Sequence, residues 1–171
     1  MLSFDIRTLA REAATVDDVI AADDAVWLDD DSLPAGEGIR VTGRLSQAGS
    51  DRYYFSGHLS GVTKQECRRC LTPTEAAVDA DVHVLFADTG EDLDDPDVYP
   101  VGGDRRDEID LLPALREQWL LEVPAFLVCR PDCKGLCPRC GADLNAGPCD
   151  CTPESDARWE ALRKLRDAKN D

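Results

Sequence analysis

A chain of 171 residues is long enough for one ordinary domain with a small appended module, and too short for a large multidomain enzyme. Its hydrophobic fraction of 43% supports a core, while its net charge of −16 is unevenly spread: residues 1–128 hold 11 Lys and Arg against 27 Asp and Glu, and residues 129–171 hold eight of each. Such an acidic body repels phosphate backbones and favours basic partners, which argues against its wrapping nucleic acid unaided.

In chain order, residues 1–37 form an N-terminal acidic segment with scattered apolar residues such as Val26, Trp27 and Leu28, enough for one short element. The opening lacks the run of roughly 7 to 15 apolar residues of a secretory leader, and no stretch approaches the roughly 18 of a membrane span, so the expected location is cytoplasmic, with no membrane partner. Residues 38–128 read as an antiparallel β body. "IRVTGRLS" alternates, "RYYFSGHLSGVTKQ" is rich in aromatic and β-branched residues, and in "AVDADVHVLFA" Val78, Ala80, Val82, Val84 and Phe86 share one face opposite Asp79, Asp81 and His83. The expected fold is α+β: a β meander or small barrel with two helices and a C-terminal Cys-rich module.

Within that body, residues 88–107 are acidic and broken by Pro96, Pro100, Gly102 and Gly103, the composition of a loop or linker, solvated or serving to dock a basic partner. A helix is expected next, capped by Asp110, with Pro113 in its first turn, Leu111, Leu112, Leu115 and Trp119 on its buried face, and Pro124 beyond its end. A second helix is expected from "TPES", with Thr152 as cap, Trp159, Leu162 and Leu165 on one side and Arg158, Arg163, Lys164, Arg166 and Lys169 on the other, a basic face that is either simply solvated or a contact surface.

Between these helices lies the densest chemistry of the chain. Eight cysteines form four close pairs, Cys67-x2-Cys70, Cys129-x3-Cys133, Cys137-x2-Cys140 and Cys149-x-Cys151, six of them inside residues 129–151. In a reducing compartment such pairs read as metal ligands or redox groups before disulfides. A C-x2-C turn brings two thiolates onto one tetrahedral ion, and two pairs close a site. Eight thiols thus suggest two structural zinc ions: Cys137, Cys140, Cys149 and Cys151 close enough for a local site, and Cys67 and Cys70 meeting Cys129 and Cys133 across about sixty residues. One site with free thiols elsewhere, no bound metal at all, or iron in place of zinc are the alternatives.

No catalytic constellation stands out. A zinc deaminase requires H-x-E and P-C-x-x-C, whereas His58 and His83, the only histidines, begin "HLS" and "HVL". No phosphate-binding loop is present, and Cys67-x2-Cys70 lacks the βαβ surroundings of a thiol oxidoreductase. The chain reads as a non-enzyme without a small-molecule substrate.

The blocks "ECRRCL", "EIDLLPALREQWLLEVP" and "CRPDCKGLCPRCGADLN" followed by "CDC" resemble the YceD family, the large ribosomal RNA subunit accumulation proteins, over roughly residues 37–166. The resemblance implies a bacterial or plastid-type factor for ribosome biogenesis that supports accumulation or processing of large-subunit ribosomal RNA. It places metal ligation on the eight cysteines and a loop signature on Lys134, Gly135, Leu136, Gly141, Leu144 and Asn145. The implied partner is large-subunit ribosomal RNA or a ribosomal protein. Arg68, Arg69, Arg130, Lys134 and Arg139 around the turns, with Arg163 and Lys164 in the tail, are the RNA-binding candidates. Their alternative role is to offset the charge of four-thiolate zinc sites. Two rival functions remain: a zinc-stabilised module that binds basic ribosomal proteins without touching RNA, and a thiol redox protein.

Overall fold

A computed structural model describes residues 2–27, 34–88, 95–102 and 107–151. The architecture is α+β, built on a five-stranded sheet in the order β2 (Ala14–Ile20), β3 (Ile39–Gln47), β4 (Arg52–Glu66), β5 (Pro73–Ala87) and β6 (Val98–Pro100). All neighbours are antiparallel except β5 and β6. The short strands β1 (Ser3–Asp5) and β7 (Glu108–Asp110) pair separately, flanked by α1 (Ile6–Leu9) and α2 (Leu112–Glu122).

The alternation read from the sequence decides which face is buried. On β5, Val78, Ala80, Val82, Val84 and Phe86 are buried, while Asp79, Asp81 and His83 are exposed. Facing residues of β3 and β4 join them: Ile39, Val41, Leu45, Tyr53, Phe55 and Leu59. Gly43 and Gly57 stand opposite each other on this inner face. The Phe55 ring lies so close to both that a Cβ on Gly57 would approach it to 2.5 Å, so a side chain at either position would displace the ring.

Helix α2 covers the inner face. Leu115 and Trp119 are fully buried on it, Leu111 just before it, and Trp119 meets Trp27 edge-on with centroids 6.5 Å apart. Leu112, expected on the buried face, is only half-buried. The cap also differs in detail: Leu111 occupies the N-cap position, and the Asp110 carboxylate accepts from the Leu112 N–H at 3.0 Å from one residue further back. Pro124 forces Val123 into an extended conformation (φ −63°, ψ 126°), which ends the helix.

Several elements escape the period-two signal. The N-terminal segment supplies β1, α1, β2 and a 3-10 turn at Ala25–Trp27 where one element was expected, and its β2 belongs to the main sheet. Val98–Pro100, inside the stretch read as a loop, pairs in parallel with Leu85–Ala87. The helix expected from Thr152 onward, with Arg163 and Lys164, lies outside the described residues.

One feature of the sheet positions the site. β3 pairs with β4 only as far as Ser60, whereas β4 and β5 remain paired to Glu66 and Pro73. The two long strands therefore continue as a ribbon for six residues, about 20 Å at the usual strand rise, with Cys67 and Cys70 in the turn at its tip.

Candidate metal centre

At the ribbon tip the chain makes a tight turn. The Cys67 N–H donates to the Thr72 carbonyl and the Leu71 N–H to the Cys67 carbonyl, both at 2.9 Å, with Leu71 in the left-handed region at φ +60°. Seventy residues later the same turn recurs. The Cys137 N–H donates to the Ala142 carbonyl at 2.8 Å, the Gly141 N–H to the Cys137 carbonyl at 2.9 Å, and Gly141 has φ +72°. The two C-x2-C segments are thus one structure written twice, with leucine in one copy where the other has glycine.

Each turn belongs to a tetrad of sulfurs. Cys67, Cys70, Cys129 and Cys133 form one, and Cys137, Cys140, Cys149 and Cys151 the other, with all four sulfurs in each within 4.8 Å of one another. In the first, the Cys67 and Cys133 sulfurs are 3.9 Å apart and those of Cys70 and Cys129 3.6 Å apart. These separations exclude a disulfide, whose sulfurs lie about 2.05 Å apart. They match a tetrahedral ion: four sulfurs bonded at about 2.3 Å stand about 3.8 Å from each other. Both tetrads could hold a metal ion, and each would supply all four ligands.

The turns also prepare the sulfurs electrostatically. Cys67 is lowered to about 6, chiefly by a main-chain hydrogen bond from Cys129 and further by the N–H groups of Arg69 and Cys70. Cys137 is lowered to about 6 by the N–H groups of Cys140 and Arg139. Cys70 is lowered too, mainly by the Thr72 hydroxyl, which lies 3.3 Å from its sulfur. Each tetrad also contains a reluctant member. Cys129 is pushed up to about 12 by desolvation and then by neighbouring thiols, and Cys151 to about 12 first by its bond with Cys140. Four thiols this close do not all ionise unaided; a bound dication would supply the charge that lets them.

A web of hydrogen bonds joins the first tetrad to the second. The Arg69 guanidinium donates to the Cys133 carbonyl at 2.8 Å, and the Arg69 carbonyl accepts from the Leu136 N–H at 2.9 Å. Gly135, at φ +75°, lies so close that a Cβ there would sit 2.7 Å from the Arg69 oxygen. Asn145 is the hub of the other side. Its Oδ1 accepts from the Lys134 N–H at 2.8 Å and the Arg130 guanidinium at 2.9 Å, and its Nδ2 reaches the Cys133 sulfur at 3.6 Å. Gly135 and Asn145 belong to the loop signature that the resemblance implies, which gives neither a task; the structure makes one a close-approach point and the other a bridge between the sites.

The RNA-binding candidates divide accordingly. Arg68 donates from its main chain to Leu127 and from Nε to the Ala125 carbonyl at 3.1 Å, Arg69 holds Cys133, and Arg130 is shared between Asn145 and Asp132. Lys134 and Arg139 are exposed on the module surface. His58 and His83 lie elsewhere, on the outer face of the sheet. His58 is bracketed by Asp79 and Asp81 at 3.1 Å each, and His83 is stacked against Tyr54.

Residues 55–166 match the family model described as large ribosomal RNA subunit accumulation protein YceD. An uncharacterised protein of Mycobacterium tuberculosis is 34% identical over 123 residues, covering 71% of this chain and 59% of that protein, so the chain spans somewhat over half the length of this relative. The uncharacterised protein YlbN of Bacillus subtilis is 31% identical over 130 residues, with 74% and 73% of the two chains covered. A chloroplastic protein of Arabidopsis thaliana, named large ribosomal RNA subunit accumulation protein YCED homolog 1, is 28% identical over 131 residues, with 59% and 40% covered. No solved structure matches the chain.

Proposed function

The chain belongs to the YceD family, and we propose that it is a non-enzymatic factor for assembly of the large ribosomal subunit, supporting accumulation or processing of its RNA and carrying two structural zinc ions in the cytoplasm. The observation that carries the non-enzymatic reading is the closure of both tetrads: four cysteines fill every position of a tetrahedral ion, leaving none for a substrate or an activated water. Thiolate ligands and tetrahedral spacing favour zinc. The ions supply rigidity, and the protein's own residues supply recognition.

In this reading the Cys-rich end contacts ribosomal RNA through basic side chains presented by rigid turns, while the acidic body faces a basic ribosomal protein. Salt-dependent filter binding to a large-subunit RNA fragment tests the first half. Replacing Arg68, Arg69, Lys134 and Arg139 with Glu weakens binding and reduces the slope of log affinity against log salt by about 1 for each lost phosphate contact.

A second reading, a module that binds basic ribosomal proteins and never touches RNA, has an observation of its own. Arg68, Arg69 and Arg130 are engaged in holding the module together. Under either reading the Arg68 and Arg69 changes loosen the fold; under this one the Lys134 and Arg139 changes leave RNA affinity at the non-specific level of the unaltered protein. The filter assay and a melting curve on the same samples separate the two.

A further inference from the structure

Among the described residues, part of one side of the β5 main chain has no backbone partner, and the ladder identifies which groups these are. At one end the Cys67 N–H donates to the Thr72 carbonyl at 2.9 Å, and at the other the Asp88 N–H donates to the Asp51 carbonyl at 3.0 Å. Between them β4 and β5 pair without interruption, each pair of positions adding to 139. Bonded and non-bonded pairs alternate in an antiparallel ladder. Odd residues of β4 therefore bond even residues of β5, and odd residues of β5 turn their N–H and C=O groups away from β4.

Near the end of β5 those outward groups are used: the Ala87 carbonyl accepts from the Val101 N–H at 2.8 Å, where β6 runs alongside. Before that, the outward groups of Glu75, Ala77, Asp79 and Asp81 meet no backbone partner among the described residues, and all four residues are exposed. The side chains of these same residues stand on the outer face, so the free edge carries three carboxylates in seven residues. The Asp79 and Asp81 side chains are 73% and 83% exposed, with His58 between them, and Lys64 stands across from Glu75. At the far end of this edge a hollow lined by His83, Asp97 and Glu117 adds two more carboxylates.

We propose that the Glu75–Asp81 edge of β5 is a docking site for an extended, basic segment of a partner protein, which adds to the sheet as a further strand. The free N–H and C=O groups supply the ladder, and the carboxylates set the required charge. The same acids repel a second copy of this edge, so they suppress self-pairing while admitting a basic strand. Pro73, with no N–H to offer, closes the site at the ribbon end. This deepens the acidic-body half of the function proposed above and rests on it only for the partner being a basic protein; RNA contact is not required.

The test uses the full-length, metal-loaded protein and a synthetic ten-residue peptide of alternating lysine and valine, with affinity read by calorimetry and amide protection by hydrogen exchange. The peptide is expected to bind and to slow exchange at Glu75, Ala77, Asp79 and Asp81. Methylating the backbone nitrogens removes donors while keeping charge. One of the two methylated peptides loses at least tenfold in affinity: the lysine-methylated form if the strands are antiparallel, the valine-methylated form if they are parallel. Ala77→Pro removes an outward N–H without touching the bonds to β4, and it costs at least tenfold with the melting curve unchanged. If that variant does not fold, the methylated pair decides alone. Equal binding by all three peptides overturns the edge site while leaving a charge-only basic partner standing. No binding by the unmodified peptide overturns both.

Discussion

The two sulfur tetrads use the same turn at very different sequence distances. The second is local, running from Cys137 to Cys151. The first joins cysteines 59 and 66 residues apart, pinning the ribbon tip to the segment after α2. Closing a flexible loop costs entropy that grows with the logarithm of its length, and between spans of 66 and 14 residues the difference is about 1.4 kcal/mol. The second site can therefore close around an ion independently of the sheet, whereas the first also needs the sheet paired so that the ribbon tip lies within reach. What differs is their structural office: one folds a module, the other fixes that module to the body.

The largest expected effect separates these offices. Chelation removes both ions and unfolds residues 129–151 while the sheet core stays protected, since structural zinc contributes about 10–16 kcal/mol of apparent binding energy in small modules. Single substitutions sharpen the contrast. Cys133→Ser frees the whole module from the ribbon and raises amide exchange in residues 74–78 as well, whereas Cys140→Ser confines the change to residues after 136. Hydrogen exchange resolved by residue distinguishes the two patterns.

Next in size is the contact between the sites. Gly135→Ala places a Cβ against the Arg69 carbonyl in a left-handed conformation, with an expected loss of about 2 kcal/mol in denaturant unfolding. Smaller, and opposite in sign, are the two turn positions. Gly141→Leu costs about 1 kcal/mol, because an L side chain is strained at positive φ, and Leu71→Gly relieves the same strain in the other copy and stabilises by up to about 1 kcal/mol. Leu71 is 55% exposed, so little packing is lost with it.

The smallest effect lies on the sheet face. Asp81 first, and Asp79 with it, raise the His58 pKa above its ordinary 6.5. The stabilisation that this brings is fully present below pH 6.5 and fades as pH rises through the raised value. Asp81→Asn lowers the midpoint of the His58 ring signals in an NMR titration, and Asp79→Asn does so by less.

The contrast between regions also explains what was legible in the sequence. The alternation of β5 has one physical cause, a strand with one buried face, and it is plain in the residues from Val78 to Phe86. The cysteine pairs are equally plain, because two thiolates on one ion demand that spacing. Val98–Pro100 was hidden, since three residues carry no period and the surrounding Asp and Pro residues read as loop. β1 and β7 were hidden because their pairing spans more than a hundred residues. Leu71 gives no sign of its positive φ, because the strain is imposed by a turn whose usual glycine is present only in the other copy. Asn145 reads as loop polarity; its bonds to Lys134, Arg130 and Cys133 exist only once the module has folded.

Elemental analysis of protein purified without added metal, alongside its Cys67→Ser/Cys70→Ser variant, tests the central claim most directly. Two zinc ions per chain, falling to one in the variant with the second site intact, is the result the paired tetrads predict. A metal-free protein that is fully folded and indifferent to chelators would contradict it.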